Sequence, residues 1–444
     1  MKHPRRHLLL VAAASLVACG GHAAAIATSS SPFSRPGMLT PTAAVVPARL
    51  WLWTGGQPAQ LALYDTRRRT TLRRLPAGVV RDDWQHLYAL STAGVPPRLQ
   101  AYDMTTGTTL ISVPTESGFA LPTLGPGERP DGLSPNGRWL TLAATPAAGG
   151  SPANVSRFLV YDTAQLEVAP RSVNLRGDFT YDGVSNDGRN LFLLETTSPS
   201  GDNAVYHVRR YDLVHGALDP NVIADKRTGE TSLSGDAVDR TTSADGSWQY
   251  TVYAFGEGAP MVHALNLSDA VAFCVDLPKA PLDQSMDLLW GLARSHDGRY
   301  VLALNAGNGA VVRMTAEQPW EERQATFTVP APATSESWIP GATLTAEAKR
   351  IVYGAAVISA DDRTLYGLGD LGVFAVDTAT LKPAGPPLIR TQPLTSLVMS
   401  EDGRELYATS LDSVTPLLQV SPQSGRWAPV DIARHPLSVV RASG

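Results

Sequence analysis

Cysteine is almost missing from this chain. Only Cys19 and Cys274 occur in 444 residues, too few for a disulfide framework. Lysine is nearly as scarce, at five of the 37 basic residues. No basic stripe with interleaved aromatics appears, which argues against nucleic-acid binding. The one local basic patch, Arg67, Arg68 and Arg69 with Arg73 and Arg74, reads as a solvated outer strand and turn. No run reaches the ~18 apolar residues of a membrane-crossing helix. The nine histidines show no H-x-H or H-E-x-x-H spacing, so no metal centre is expected. C-x-x-C-H is also missing, so covalent haem is not expected, and no other cofactor is. What is present describes a folded globular protein: 43% hydrophobic and 18% charged residues, with 38 Gly and 34 Pro to supply turns.

The N-terminus carries an address. Lys2, Arg5 and Arg6 precede an apolar run from Leu8 to Val17. Ten residues are too few to span a bilayer but suit the h-region of a signal peptide. The run ends in Leu16-Val17-Ala18-Cys19-Gly20, which resembles a bacterial lipobox. Residues 1–18 are therefore expected to be a lipoprotein signal peptide, and Cys19 the lipidated residue. Their removal would take away three of the 37 basic and none of the 41 acidic residues, moving the formal charge from −4 to −7. Such a balance does not favour adhesion to anionic lipid. Residues 19–47 are rich in Ala, Ser, Thr, Pro and Gly without a period, and read as a flexible tether. The folded domain is expected over 48–444.

The domain is written in repeats. Ser400-Glu-Asp-Gly-Arg-Glu-Leu-Tyr-Ala-Thr409 has six relatives upstream, starting at Arg81, Ser134, Ser185, Ser243, Ser295 and Ser359. All seven carry Asp or Asn at the third place and five carry Gly at the fourth. Asp-Gly between apolar runs signals a hairpin, with a two-residue type I′ turn expected. The apolar run after the turn does not alternate, so its strand must be covered on both faces. A second phrase follows each hairpin, an apolar segment ending in Tyr-Asp or a relative, as at Tyr102-Asp103, Tyr161-Asp162 and Tyr211-Asp212. Its last side chain suits turn capping. Four strands per repeat, recurring every 41 to 64 residues, predict an all-β propeller of four-stranded antiparallel blades. Seven hairpins suggest seven blades. An eighth arises if the strands around Arg49–Trp53, Leu61–Asp65 and Thr70–Leu75 are completed by His435–Val440. The expected ring has eight blades, closed by N- and C-terminal strands in one blade, which removes free sheet edges; seven is the alternative.

The S-x-D-G-R-x-L-Y hairpin followed by the Y-D-T strand resembles the YVTN and TolB-like relatives of the WD40 propellers. That resemblance implies fold more than function, because the shared residues are turn and core residues. Asp103-Met-Thr-Thr-Gly107 echoes the D-x-x-T-G turn of quinoprotein propellers, but once only and without the following Trp.

Candidate site residues come from position in the blade. Long segments fall at Pro114–Arg129, Ala144–Ser156, Ala224–Asp239 and Pro330–Thr345, all on the face opposite the constant hairpins. Variable loops on a rigid scaffold are where binding resides, and this face is expected to carry Phe119, Arg129, Trp338 and, near the fifth inner strand, Trp290. Asp131 and Asp182 each stand six residues before a hairpin Gly. They are expected near the channel mouth as paired carboxylates for a cation or polar ligand, or as caps of backbone amides. The function expected is a non-enzymatic, membrane-tethered binding or scaffold propeller of the bacterial cell envelope, exported and held to the inner or outer membrane by its lipid. Its partner would be a protein or small polar ligand on the long-loop face. The alternative is an enzyme using the channel, a lactonase-like hydrolase or a quinoprotein-type oxidoreductase.

Overall fold

A computed structural model describes residues 44–443, apart from 56–58, 126–127, 146–154, 199–203, 255–257, 280–288, 321, 330–355, 370–371, 390–393, 411–414 and 433–435. Eight antiparallel sheets form a ring of blades. Numbered from the first hairpin, blade 1 holds Val79–Val80, His86–Ser91, Arg98–Asp103 and Thr109–Pro114, from the axis outward. Blade 8 draws on both ends of the chain. Its inner strand is Pro436–Ser443, and Arg49–Thr54, Gln60–Asp65 and Thr70–Pro76 complete it. Arg49 pairs with Ser443 and Leu50 with Ala442, so the expected closure and the count of eight both hold. Packing against the ring starts a little before residue 48, since the Val46 amide already donates to Gln419 Oε1 at 2.9 Å.

Apolar packing sits between blades, not on the axis. Eight separate apolar clusters occur among the described residues, and each joins two neighbouring blades around the ring. This is why the second strands do not alternate: every residue of Trp248–Ala254 is buried. The outer strands have one neighbour fewer; Thr70–Pro76 alternates between exposed and half-buried residues over its first five positions.

The hairpins are built differently from a two-residue type I′ turn. Only the fourth place takes positive φ, at +70° in Gly137, +67° in Gly188 and +70° in Gly246. Trp84 and Asp362 hold the same place at +56° and +59°. Four residues connect each strand pair. The Gly137 amide donates to the Ser134 carbonyl at 2.7 Å and the Ser134 amide to the Trp139 carbonyl at 2.8 Å. The Ser and Asp of the phrase then fill the loop: Ser295 Oγ donates to Asp297 Oδ1 at 2.7 Å and accepts the Tyr300 amide at 2.9 Å. The Arg299 amide and the Ser295 hydroxyl hold the Asp297 carboxyl down to about 2. Ser and Asp recur because they close a loop. The Tyr-Asp phrase caps the next turn as expected: Asp103 Oδ1 accepts the Thr105 and Thr106 amides at 2.7 and 2.8 Å.

Candidate functional site: the bridged channel

Blade 2 departs from the pattern. Its inner strand is interrupted: Phe119–Ala120 pairs with Ala143 and Ala144 at one end, and Leu133 bridges Leu140 at the other. The residues between leave the sheet and return as a small hairpin, Thr123–Leu124 against Arg129–Pro130. Its neck is closed by the Asp131 amide on the Pro122 carbonyl and the Thr141 amide on the Gly132 carbonyl, both 2.8 Å. The hairpin lies against the inner strand of blade 4, Asp236–Thr242, so closely that a Cβ on Gly125 would stand 2.9 Å from the Val238 carbonyl oxygen. The segment Pro114–Arg129, expected as a variable surface loop, is therefore partly a bridge across the channel from blade 2 to blade 4.

Charge fixes that bridge. Arg240, on the blade 4 inner strand, donates through Nη1 to Asp131 Oδ2 at 2.6 Å and through Nη2 to Asp182 Oδ1 at 2.8 Å. Its Nε reaches Thr251 Oγ1 at 3.0 Å. The guanidinium is 10% exposed and the Asp182 carboxylate fully buried. Burial disfavours the cation, but Asp131 and Asp182 outweigh it and hold the Arg240 pKa above the ordinary arginine value. Gln249 Nε2 also donates to Asp182 Oδ1, at 3.2 Å. A second pair runs in parallel, Arg129 Nη2 to Asp239 Oδ1 at 3.4 Å, while Asp239 Oδ2 accepts the Leu292 amide of blade 5 at 2.8 Å.

The expected site residues separate accordingly. Asp131 and Asp182 do come together, and the cation between them is Arg240 of the same chain. Asp131 also accepts the Gly132 amide at 2.7 Å, so it caps backbone as well. Arg129 joins the cluster. Trp290 does not lie on a binding face; at 1% exposure it is packed between blades 4 and 5. At the start of the blade 5 inner strand it packs toward blade 4. Phe119 is buried as well, under the Arg157 guanidinium at 5.0 Å. Trp338, Cys19 and residues 19–43 of the tether lie outside the described residues. Cys274 is a half-buried thiol whose pKa burial pushes up to about 12, so it is not poised to react.

Sequence reasoning missed Arg240 although its signal was present. Arg240 stands six residues before Gly246, the register of Asp131 before Gly137 and of Asp182 before Gly188. Asp, Asp and Arg at one register of three consecutive inner strands meet on the channel.

A cavity of about 400 Å³ remains beside the bridge and extends to the hairpin mouth. Trp53, Leu61, Val79 and Val439 form its apolar wall, and Arg81, Asp82, Arg129, Asp131 and Arg240 its charged side. Among the described residues no three His, Cys, Asp or Glu side chains are grouped to hold a metal ion.

No family model matches the chain, and no curated protein does. Solved structures match it across the whole ring. Apo AztD from Citrobacter koseri is 10% identical over 90% of this chain and 98% of its own, with a TM-score of 0.51. The dihydro-heme d1 dehydrogenase NirN, in complex with DHE, is 12% identical over 89% of this chain and 74% of its own, at 0.50. The periplasmic gluconolactonase PpgL of Pseudomonas aeruginosa is 20% identical, covering 80% and 98%, at 0.40. For the first two, at these identities, the likeness shows the fold and not the activity.

Proposed function

We propose that this chain is an exported binding or scaffold propeller, tethered to a membrane of the bacterial envelope through acylated Cys19, and that its ligand sits in the channel cavity. One observation carries the binding reading. The ionised groups around Arg240 are already committed to one another, while an apolar-walled cavity stays open beside them. Committed ion pairs shape and stiffen a pocket, and a partly apolar cavity of this size can bury a small ligand.

The anchor is tested first. Cys19→Ser is expected to abolish incorporation of labelled fatty acid and move the protein out of the membrane fraction; a wild-type chain that takes up no label overturns the anchor. Ligand position is tested by photo-crosslinking in intact cells, with a photoreactive residue in place of Arg129 or of Arg404. Arg404 lies on the hairpin rim with its side chain 81% exposed. A defined adduct at 129 and none at 404 is the expected result. Adducts at 404 alone, or at neither position, overturn the channel as the binding site.

A further inference from the structure

We propose that the arginine turn of blade 8 docks the ring on an anionic phospholipid surface, with Arg67 and Arg68 against the headgroups; this rests on the anchor at Cys19. The turn lies where the tethered end of the chain joins the ring. The Ala48 amide donates to Thr66 Oγ1 at 2.8 Å, and the Thr66 amide to the Ala48 carbonyl at 3.0 Å. Arg49, which opens the next strand, pairs with Asp65 on one side and Ser443 on the other. Three strand ends and the turn therefore share the hairpin face of the ring. Read as a coil, residues 19–43 span on the order of 30 Å, so an anchor at Cys19 holds this corner to the bilayer.

Charge singles out the same corner. Residues 66–81 hold six arginines and no acidic residue. The matching turns of blades 1, 3 and 4, at 104–107, 213–216 and 267–270, hold no arginine or lysine. Elsewhere on this face an arginine answers the aspartate of its own hairpin, as Arg299 does Asp297 and Arg404 does Asp402. On blade 8 the acids fall short. Asp65 caps the turn, accepting the Arg68 amide at 2.8 Å, and stays 4.0 Å from the Arg68 guanidinium. Arg69 meets Asp431 at 3.2 Å in a contact whose two side chains are each 70% exposed. Arg49 and Arg67 are exposed and join no ion pair among the described residues. Arg69 also stands at φ +55°, the place that Gly107 and Gly216 take at +79° and +68°. An arginine thus occupies a position that the backbone favours for glycine.

The negative charge of the whole chain does not oppose this contact. At physiological salt a charge acts over about 8 Å, so a bilayer meets the corner and not the far side of the ring. Each arginine beside an anionic leaflet strengthens binding about fivefold.

Every described ring contact lies beyond residue 43, so a chain starting at residue 19 and carrying Cys19→Ser keeps them all and lacks the lipid. Co-sedimentation of this chain with phosphatidylcholine vesicles, with and without phosphatidylglycerol, reads the surface alone. Binding is expected only where phosphatidylglycerol is present, and is expected to be lost in high salt. Arg67→Gln with Arg68→Gln should weaken it at least about tenfold at an unchanged melting temperature, while Arg404→Gln on the same face leaves it unaltered. No preference for phosphatidylglycerol, or a preference untouched by the double substitution, overturns the docking surface. Displacement by soluble glycerol 3-phosphate overturns it too, because that marks a phosphate pocket and not a lipid surface. Acylation plays no part in these outcomes, and the fatty-acid label alone decides the anchor.

Discussion

Truncation before His435 is expected to leave a chain with no stable native state, seen as aggregation or the loss of a cooperative melt. The deletion removes the whole inner strand of blade 8, Pro436–Ser443. Three sets of interactions leave with it. The ladder to Arg49–Thr54 is lost. So are the ties to blade 7, where the Val439 amide donates to Ser396 Oγ and the Glu401 amide to the Ala442 carbonyl, both at 3.0 Å. On the other side Arg441 leaves the face of Trp84, 4.8 Å from the ring, and Val440 leaves the cluster shared with blade 1. A ring opened at one blade exposes two sheet flanks and a strand edge. The loss is on the order of the 5–15 kcal/mol that holds a whole domain folded. Circular dichroism and size-exclusion chromatography decide it: a monomeric truncated chain melting like the full-length one would show that blade 8 does not close the ring.

Arg240→Met should be the most damaging single substitution in the channel. It leaves Asp131 and Asp182 facing each other in a site where Asp182 is fully buried. Breaking a buried ion pair from one side costs about 3–5 kcal/mol, because the orphaned charge loses both partner and water. Here two carboxylates are orphaned together. Removing their charge as well, in Arg240→Met with Asp131→Asn and Asp182→Asn, should recover most of the loss, since a neutral replacement of a whole triad is often nearly free of cost. Thermal unfolding of the single and triple variants tests both halves. A single variant as stable as wild type would mean that the bridge from blade 2 to blade 4 is held by packing alone.

The ring was legible because its turn chemistry repeats. Ser, Asp and Gly at fixed offsets mark each hairpin, and the Tyr-Asp strand end marks the next turn. A sequence local enough to form its own hydrogen bonds announces itself by residue type. The turn geometry was less legible, since Asp-Gly suits both a two-residue type I′ loop and the four-residue loop found here; Ser134 Oγ accepting the Trp139 amide at 2.9 Å selects the longer one. The site was only half legible. Asp131 and Asp182 stood out by register, but the side chain that joins them lies more than fifty residues on. Arg240 looks like any polar residue at a strand end until the ring brings three blades together. The blade 2 bridge was hidden for a related reason. A long segment between strands reads as a surface loop, and nothing local in Pro114–Arg129 says that it turns inward.

The same closing blade decides how the ring bears a pull. Any tension arriving from the N-terminal side enters at Arg49–Thr54, which is hydrogen-bonded along both edges, to Gln60–Asp65 and to Pro436–Ser443. Force directed along that strand loads both ladders in shear. Many hydrogen bonds must then yield together, where a peeled edge strand would release them one at a time. A protein drawn by its first strand would resist as a unit until blade 8 gives way.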